Sequence, residues 1–372
     1  MKQLLILRDH HYIAQNQAKY LTKLKSELDY DSCILIGDFS ENYSFIVQDA
    51  IQAFHWVNTQ ATLHPFVAYI RCKETHVVKP ISMCVISDCL MHTTTAVYAF
   101  QKVIISHLKT ADGFTGSKIM YFSDGAAGQY KNRKNFGNLL FHKDDFFGIE
   151  AEWHFFATSH GKNACDGIGG STKRLARIAS IRRPINNQIL TPEDLFKFAD
   201  EDIHGIKLFF VGSEDIFKCE EDLKSRFDAC KRVPNTRESH CFVPQNDSTI
   251  RAYRISGGKI FQDANVFLHG LKKKFSITPK VSQYVACAYD DKWYIGMVVA
   301  INIDEGDSKI KFMIPPGPSV SFHWEPISPT WIPNAKILKI IEAPKTEKRR
   351  QYKISPALQE ELDELLSLQL AD

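Results

Sequence analysis

The sequence lacks long apolar runs and close cysteine pairs. Its N-terminus, MKQLLILRDHHYIAQ, has only four apolar residues in a row before charge returns. No later stretch is long and apolar enough to span a bilayer, so we expect no membrane partner. The nine cysteines are irregularly spaced without a CxxC pair. This spacing argues against a disulfide framework and a tight zinc knuckle, and it favours a soluble protein of a reducing compartment, cytosolic or nuclear.

The sequence also lacks a strong excess of charge of either sign. It has 46 Lys and Arg against 43 Asp and Glu, so contact with nucleic acid would need local clusters of basic residues. A chain of 372 residues with 44% hydrophobic residues is long and apolar enough to form two or three packed domains.

The first half of the chain alternates between patterns typical of buried strands and of amphipathic helices. Short apolar runs predict five strands, at 32–40, 61–72, 79–90, 118–124 and 149–160. Helical spacing predicts four helices, at 13–28, 93–110, 132–147 and 171–183. The strand at 32–40 is therefore followed by two strands that we expect to form a hairpin, and then by helix, strand, helix, strand and helix. This order indicates an α/β core.

Three acids fall at the ends of these strands. Asp38 ends the first strand, Asp124 ends the fourth, and Asp166 follows the fifth. Any one of them alone is more typical of a turn or a helix cap. If the first and fourth strands are neighbours, however, Asp38 and Asp124 lie side by side. Converging carboxylates repel one another unless cations lie between them, and Mg²⁺ and Mn²⁺ bind carboxylate and phosphate oxygens together.

On these residues the chain resembles the ribonuclease H-like superfamily, and within it the DDE/D transposases and integrases. The phrases that carry the resemblance are ILIGDFSENY, MYFSDGAAGQYKN and HGKNACDGIGG, together with the order of elements from about 30 to 183. Longer phrases, DFSENYSFIVQDAIQAFHW and HFFATSHGKNACDGIGGSTKR, look like those of uncharacterised transposon-derived animal proteins.

The resemblance implies a ribonuclease H-like mixed sheet flanked by helices, and a nuclear enzyme that cleaves and joins DNA strands. It implies that Asp38 and Asp124 share one Mg²⁺ or Mn²⁺ ion and that Asp166 binds a second. Two such ions, about 3.5–4 Å apart, stabilise the attacking and leaving oxygens of an in-line displacement.

The sequence departs from the superfamily in two ways. The third acid there is usually on a helix and is often Glu, whereas Asp166 precedes Gly167, Gly169 and Gly170, which disfavour a helix. We therefore expect Asp166 on a turn before the helix at 171–183. Other acids are alternatives for the third ligand: Glu152, Asp144 and Asp145. No helix-turn-helix or zinc finger precedes Asp38, so we expect a fragment or a domesticated remnant of a transposase.

Basic residues lie close to each acid and are candidates to bind DNA phosphates. They are Lys131, Arg133 and Lys134 after Asp124, His160 and Lys162 before Asp166, and Lys173, Arg174, Arg177 and Arg183 on the following helix. A solvated helix start and a structural loop histidine are the alternative interpretations of the first two groups. Asp88 and His92, at the end of the third strand, are candidates to stand beside the metal site.

The C-terminal part has short strands rich in Val, Ile and aromatic residues, which predict an SH3/Tudor-like all-β barrel. Its aromatic residues either cage a methylated ammonium of a histone or peptide ligand or fill the barrel core. They are Tyr289, Trp293, Tyr294, Phe312, Phe322, Trp324 and Trp331. A basic run, KTEKRRQYK, follows and is a candidate nuclear-import or DNA-contacting patch. The leucine-rich helix after it is a candidate packing element or a pairing element of a homo-oligomer.

The sequence thus predicts five segments, an N-terminal helix at 1–30, a ribonuclease H-like core at 31–185, a mixed helical extension at 186–278, a barrel at 279–342, and the basic run and helix at 343–372. The leading hypothesis is a DDE/D-type nuclease and strand transferase. The alternative is a domesticated, non-catalytic DNA- or chromatin-binding protein in which the barrel is the working part. A nuclease without joining activity would share the same site.

Overall fold

The computed structural model describes residues 2–46, 59–111, 113–158, 164–184, 187–267, 279–289, 291–302, 307–319, 321–326, 328–348 and 351–370. The chain divides into two compact units, Met1–Leu271 and Lys272–Asp372. Among the helices within these ranges, none is long and apolar enough to cross a bilayer.

The first unit is built on one mixed sheet. Its strands are β1 (Ser32–Gly37), β2 (Tyr43–Ser44), β3 (Gln60–Arg71), β4 (Val78–Ser87), β5 (Lys118–Ser123), β6 (Glu150–Phe155), β7 (Lys207–Phe210), β8 (Cys241–Pro244), β9 (Thr249–Tyr253) and β10 (Phe261–Asn265). They pair in the order β10-β9-β8-β6-β5-β1-β3-β4-β7, and β2 pairs with β3. The pairs β1–β5, β5–β6 and β4–β7 are parallel, and the other pairs are antiparallel.

Helices cover both faces of this sheet. They are α1 (Lys2–Glu27), α2 (Thr94–Thr110), α3 (Arg133–Leu140), α4 (His142–Asp145), α5 (Ala164–Arg182), α6 (Pro192–Asp202) and α7 (Ser213–Ala229). Along β1, Cys33 and Leu35 join the core under α2, α3 and α7, whereas Ile34 and Ile36 join the core under α5 and α6. A strand buried on both faces has a continuous apolar sequence rather than an alternating one, which explains the run SCILIG.

The mixed extension predicted at 186–278 adds strands to both ends of the sheet. β7 pairs with β4 at one end, and β8, β9 and β10 follow β6 at the other. The central order β4-β3-β1-β5-β6 therefore lies inside a wider sheet, and the strands that carry the candidate acids are internal.

Helix α5 begins earlier than the sequence predicts. It starts at Ala164, so Asp166 lies in its first turn, and the expectation of a turn before the helix was wrong. The reason is packing: a Cβ atom on Gly169 would lie 2.8 Å from the Ser40 Oγ atom and 3.3 Å from Pro65. Glycine at this position lets α5 approach the chain that follows β1, and this tertiary contact overrides the low helix propensity of glycine.

The second unit is a curled antiparallel sheet with one α-helix among its described residues. Its elements are β11 (Tyr284–Tyr289), β12 (Lys292–Asn302), β13 (Asp307–Ile314), β14 (Ser321–Trp324), β15 (Thr330–Pro333), β16 (Ile337–Ile341), β17 (Lys345–Lys348), β18 (Gln351–Lys353) and α8 (Pro356–Leu370). The order is β16-β11-β12-β13-β14-β18-β17, and β15 pairs with β13. The basic run KTEKRRQYK supplies β17 and β18, and α8 packs through Leu362 and Leu366 against the same sheet core.

The aromatic residues of this sheet divide between core and surface. Trp293 and Phe322 are fully buried, so the core interpretation holds for both. Tyr289 is 48% exposed, and the Lys336 Nζ atom lies 5.3 Å from the centre of its ring. A methylated ammonium at this ring would have to displace the chain's own ammonium group.

We expect Gly169→Ala to lower the free energy of unfolding by about 1–2 kcal/mol. The clash of the new methyl group with Ser40 costs more free energy than the higher helix propensity of alanine gains. Gly170→Ala is the matched control: a Cβ atom there meets nothing within 4 Å, so this variant should be more stable than wild type by up to about 1 kcal/mol. Urea unfolding followed by circular dichroism measures both. Equal stabilisation by the two substitutions would contradict the close approach of α5.

Candidate active site

The parallel pairing of β1 and β5 places Asp38 and Asp124 at the same level. Ile36 pairs with Phe122, and each acid follows its strand residue by two positions. The Asp38 backbone N–H donates to the Pro65 carbonyl oxygen over 3.3 Å. The Ala126 backbone N–H donates to Asp124 Oδ1 over 3.0 Å, which fixes the turn after β5. The two acids therefore meet at one edge of the sheet, as the sequence predicts.

Asp166 approaches this edge from α5. The preceding residue, Cys165, is buried and its Sγ atom lies 3.6 Å from the Ile36 carbonyl oxygen. One turn later, Gly169 contacts Ser40. The first turn of α5 is thus held against the end of β1, and the exposed Asp166 is close enough to Asp38 for its charge to act there.

The electrostatic state of Asp38 shows that the acids interact. Burial raises the pKa of the Asp38 carboxyl, the negative charges of Asp124 and Asp166 raise it further, and the result is about 7. The Phe39 backbone N–H opposes this shift. Burial also raises the pKa of Asp124, against the hydrogen bond from Ala126. The charges of Asp124 and Asp166 therefore both act on Asp38, although Asp38 and Asp166 are 128 positions apart in the chain.

Within the described ranges, no group of three or more His, Cys, Asp or Glu side chains is gathered closely enough to hold a metal ion by itself. The acids therefore interact through charge and do not form a complete set of ligands. Mg²⁺ is usually held by one or two carboxylates, with water and phosphate oxygens completing its octahedral shell. Two acids at adjacent strand ends and a third nearby fit a site that water and phosphate oxygens complete better than a site made of protein ligands alone.

The alternative third ligands have other partners. Glu152 on β6 lies 2.8 Å from Lys118 Nζ and 3.0 Å from His154 Nε2. Burial would raise the pKa of Glu152, but His154 and Lys118 together lower it to about 2. Asp145 accepts two bonds, of 2.6 and 3.0 Å, from the Arg226 guanidinium. Asp144 lies beside Asp145 in α4.

Behind the acids lies a buried pair that has no sequence signal. The hydroxyl of Tyr130 and the Nε2 atom of His64 are 2.7 Å apart, and both residues are fully buried. Burial, then the charges of Asp38 and Asp124, raise the pKa of Tyr130 well above its usual value. Burial lowers the pKa of His64 to about 3, so its imidazole is neutral at physiological pH. Tyr130 and His64 thus form an uncharged, hydrogen-bonded pair, and Tyr130 is close enough to Asp38 for the charge of that acid to act on it.

The two candidates at the end of the third predicted strand differ. The His92 ring stacks on the ring of Phe39, which follows Asp38, with a centroid distance of 4.2 Å. Asp88 instead accepts bonds from the Ser213 backbone N–H and hydroxyl, over 2.7 and 2.9 Å, at the start of α7. Of the two candidates, His92 therefore packs against Phe39, the residue next to Asp38.

A cleft of about 920 Å³ begins at Gly125, beside the basic residues that follow Asp124. Lys131 is half-buried, and burial lowers the pKa of its ammonium to about 8. Arg133 is exposed and donates to the Cys230 carbonyl oxygen over 3.0 Å. Lys134 is exposed, and its Nζ atom lies 4.9 Å from the centre of the Phe227 ring. Of these three, Lys131 and Arg133 face the cleft.

The predicted basic face of α5 has two parts. Arg174 and Arg177 are exposed, and Lys173 donates to the Glu41 carbonyl oxygen over 3.2 Å, close in sequence to Asp38. Arg183 pairs with Asp202 over 3.2 Å and packs on the Phe198 ring, which gives it a structural role. His160 and Lys162 lie outside the described residues.

Residues 17–256 match the family described as "Domain of unknown function (DUF8701)". The chain belongs to the DUF8701 family. The DUF8701 match covers more than half of the chain, spans β1 to β9 and includes Asp38, Asp124 and Asp166. No curated protein and no solved structure is similar enough to this chain to match it.

We expect Asp38→Asn to be more stable than wild type at alkaline pH. The folded chain keeps on Asp38 a proton that the unfolded chain loses near pH 4, so this group's contribution to stability is present below about pH 4 and is lost as the pH rises through about 7. Asparagine does not titrate, and the variant should gain about 1–3 kcal/mol over wild type by about pH 8, with no difference near pH 4.

Urea unfolding in the presence of a chelator, across this pH range, measures the difference between the two proteins. Buried histidines such as His64 lose stability as the pH falls, but they do so equally in both and cancel. Asp200→Asn, which replaces an exposed acid on α6, is the matched control for the loss of one carboxylate. A difference for Asp38→Asn that is independent of pH would contradict the raised pKa.

Proposed function

We propose that this DUF8701 protein is a divalent-metal-dependent enzyme that cleaves and joins DNA strands, with a ribonuclease H-like core of the DDE/D type. The observation that carries the proposal is geometric: the parallel register of β1 and β5 puts Asp38 and Asp124 at adjacent strand ends. Asp166, in the first turn of α5, is close enough that its charge, together with burial and the charge of Asp124, raises the pKa of Asp38. Each of these acids comes from a different element, and no basic side chain is among the groups that shift Asp38. Carboxylates that converge on one place repel one another unless a cation lies between them.

The arrangement of elements supports the fold assignment. The resemblance requires the first and fourth predicted strands to be neighbours, and β1 and β5 are parallel neighbours. It places the third acid on a helix, and Asp166 lies in the first turn of α5. For the second unit, an antiparallel curled sheet supports the proposal of an SH3/Tudor-like module.

Asp38 and Asp124 would hold one Mg²⁺ or Mn²⁺ ion, and Asp166 would contribute to a second together with phosphate oxygens of DNA. When bound, such ions stabilise charge on the attacking and leaving oxygens of a phosphodiester. Asp38 must lose its proton to serve as a ligand, and a nearby cation lowers its pKa and favours that loss. Lys131 and Arg133 would hold DNA phosphates.

A non-catalytic DNA-binding protein is the second candidate. It is favoured by the absence, within the described residues, of a closely gathered group of metal-binding side chains. In that case the acids would be an inherited feature, and DNA would bind without cleavage. Cleavage without joining would use the same acids.

We expect the protein to nick supercoiled plasmid DNA in the presence of Mn²⁺. Asp124→Asn should lower the nicking rate by at least about 100-fold, because the loss of one ligand removes several kcal/mol of transition-state stabilisation. Agarose gel electrophoresis of plasmid over time measures the rate. Asparagine has nearly the same size, so the turn after β5 is retained.

The matched control is Asp200→Asn, which removes an exposed acid from α6 and should nick at the wild-type rate. Nicking by Asp124→Asn at the wild-type rate would contradict the proposed site. DNA binding by wild type without cleavage in either Mn²⁺ or Mg²⁺ would instead favour the non-catalytic candidate.

A further inference from the structure

The cleft beside Asp124 has a second wall that no sequence pattern predicts. Its first wall is the loop that leads from Gly125 to the start of α3. Its second wall is the segment 232–238, which precedes β8. The cleft is lined by Gly125, Ala127, Lys131, Asn132, Arg133, Arg232, Val233, Pro234, Asn235, Thr236, Arg237 and Glu238.

The lining is strongly basic. Four cationic side chains, two from each wall, face one carboxylate, that of Glu238. Lys131 donates to the Arg237 carbonyl oxygen over 3.5 Å, and Arg133 donates to the Cys230 carbonyl oxygen. These acceptors are neutral, so the bonds leave the positive charges uncompensated. Arg232 and Arg237 are exposed, and within the described residues no carboxylate forms an ion pair with either.

Both walls are held in place by hydrogen bonds. Gln262 on β10 donates to the Pro234 carbonyl oxygen over 2.7 Å and accepts from Asn235 Nδ2 over 3.0 Å. On the opposite wall, the Asn132 side chain accepts from the backbone N–H groups of Lys134 and Asn135, which fixes the start of α3. The cleft is therefore a formed feature of the sheet edge and not a gap between loose loops.

We propose that this cleft binds the phosphate backbone of a single DNA strand, with Arg232 and Arg237 as phosphate-binding residues, and leads the strand to Asp124. The choice of DNA rests on the proposed function. The basic cleft itself is independent of the chemistry at the acids, because it would bind phosphates without any metal ion.

The size and composition of the cleft select the ligand. A volume of about 920 Å³ is that of a small-molecule pocket, whereas a duplex, whose major groove alone is about 12 Å wide, is too broad to enter. The described lining contains no aromatic side chain, so bases have no ring on which to stack. Guanidinium, ammonium and amide groups instead match phosphate oxygens, which favours backbone binding without sequence preference.

Fluorescence anisotropy with a labelled single-stranded DNA oligonucleotide, in the presence of a chelator, tests this proposal on the full chain. Arg232→Ala/Arg237→Ala should bind at least about tenfold more weakly, and the slope of log affinity against log salt should be shallower by about 1.4, or 0.7 for each lost phosphate contact. Lys197→Ala/Lys207→Ala is the matched control, with the same charge change on α6 and β7 at the opposite end of the sheet, and should bind like wild type.

Equal affinity of the cleft variant and wild type would overturn the proposal, as would an equal loss in the control. Competition by unlabelled duplex as effective as that by unlabelled single strand would overturn the selection of one strand. The two proposals fail separately. If the cleft variant binds DNA more weakly but the wild-type protein never nicks DNA, the cleft proposal stands and the proposed enzyme activity does not. If nicking depends on Asp124 but the cleft variant binds like wild type, the proposed enzyme activity stands and the cleft proposal does not.

Discussion

The burial of the Asp38 carboxyl beside two other acids is the interaction on which the rest of the site depends. Desolvation and like charge both favour the protonated form, and each unit of pKa corresponds to about 1.4 kcal/mol. The sheet maintains this unfavourable arrangement because β1 is covered on both faces and pairs with β5 along its whole length. The strands cannot separate without loss of both cores, so the strand-end acids stay together.

The third acid depends on a different contact. Helix α5 reaches the end of β1 because Gly169 has no side chain to collide with Ser40 and because Cys165 is buried against Ile36. The same edge of the sheet carries the basic cleft, whose walls come from segments more than 90 residues apart. Negative charge at the strand ends and positive charge next to it form one polarised surface, suited to a ligand that brings both phosphates and cations.

Local patterns were sufficient to predict β1, β3, β4, β5 and β6 and the position of Asp38 and Asp124 at strand ends, because buried strands have short apolar runs with a sharp end. They were not sufficient for Asp166, since helix propensity alone does not show that a glycine is needed for close packing. Tyr130 and His64 lie 66 residues apart and meet only through the folded sheet. Arg232 and Arg237 belong to a turn-rich segment, where basic residues are common and carry no signal.

Anomalous X-ray diffraction at the manganese absorption edge, from crystals grown with Mn²⁺, tests most directly whether Asp38, Asp124 and Asp166 together bind divalent cations. We expect anomalous density between the Asp38 and Asp124 carboxylates, with Asp166 beside it. Anomalous density confined to other parts of the molecule, or none in a crystal that contains Mn²⁺, would contradict it.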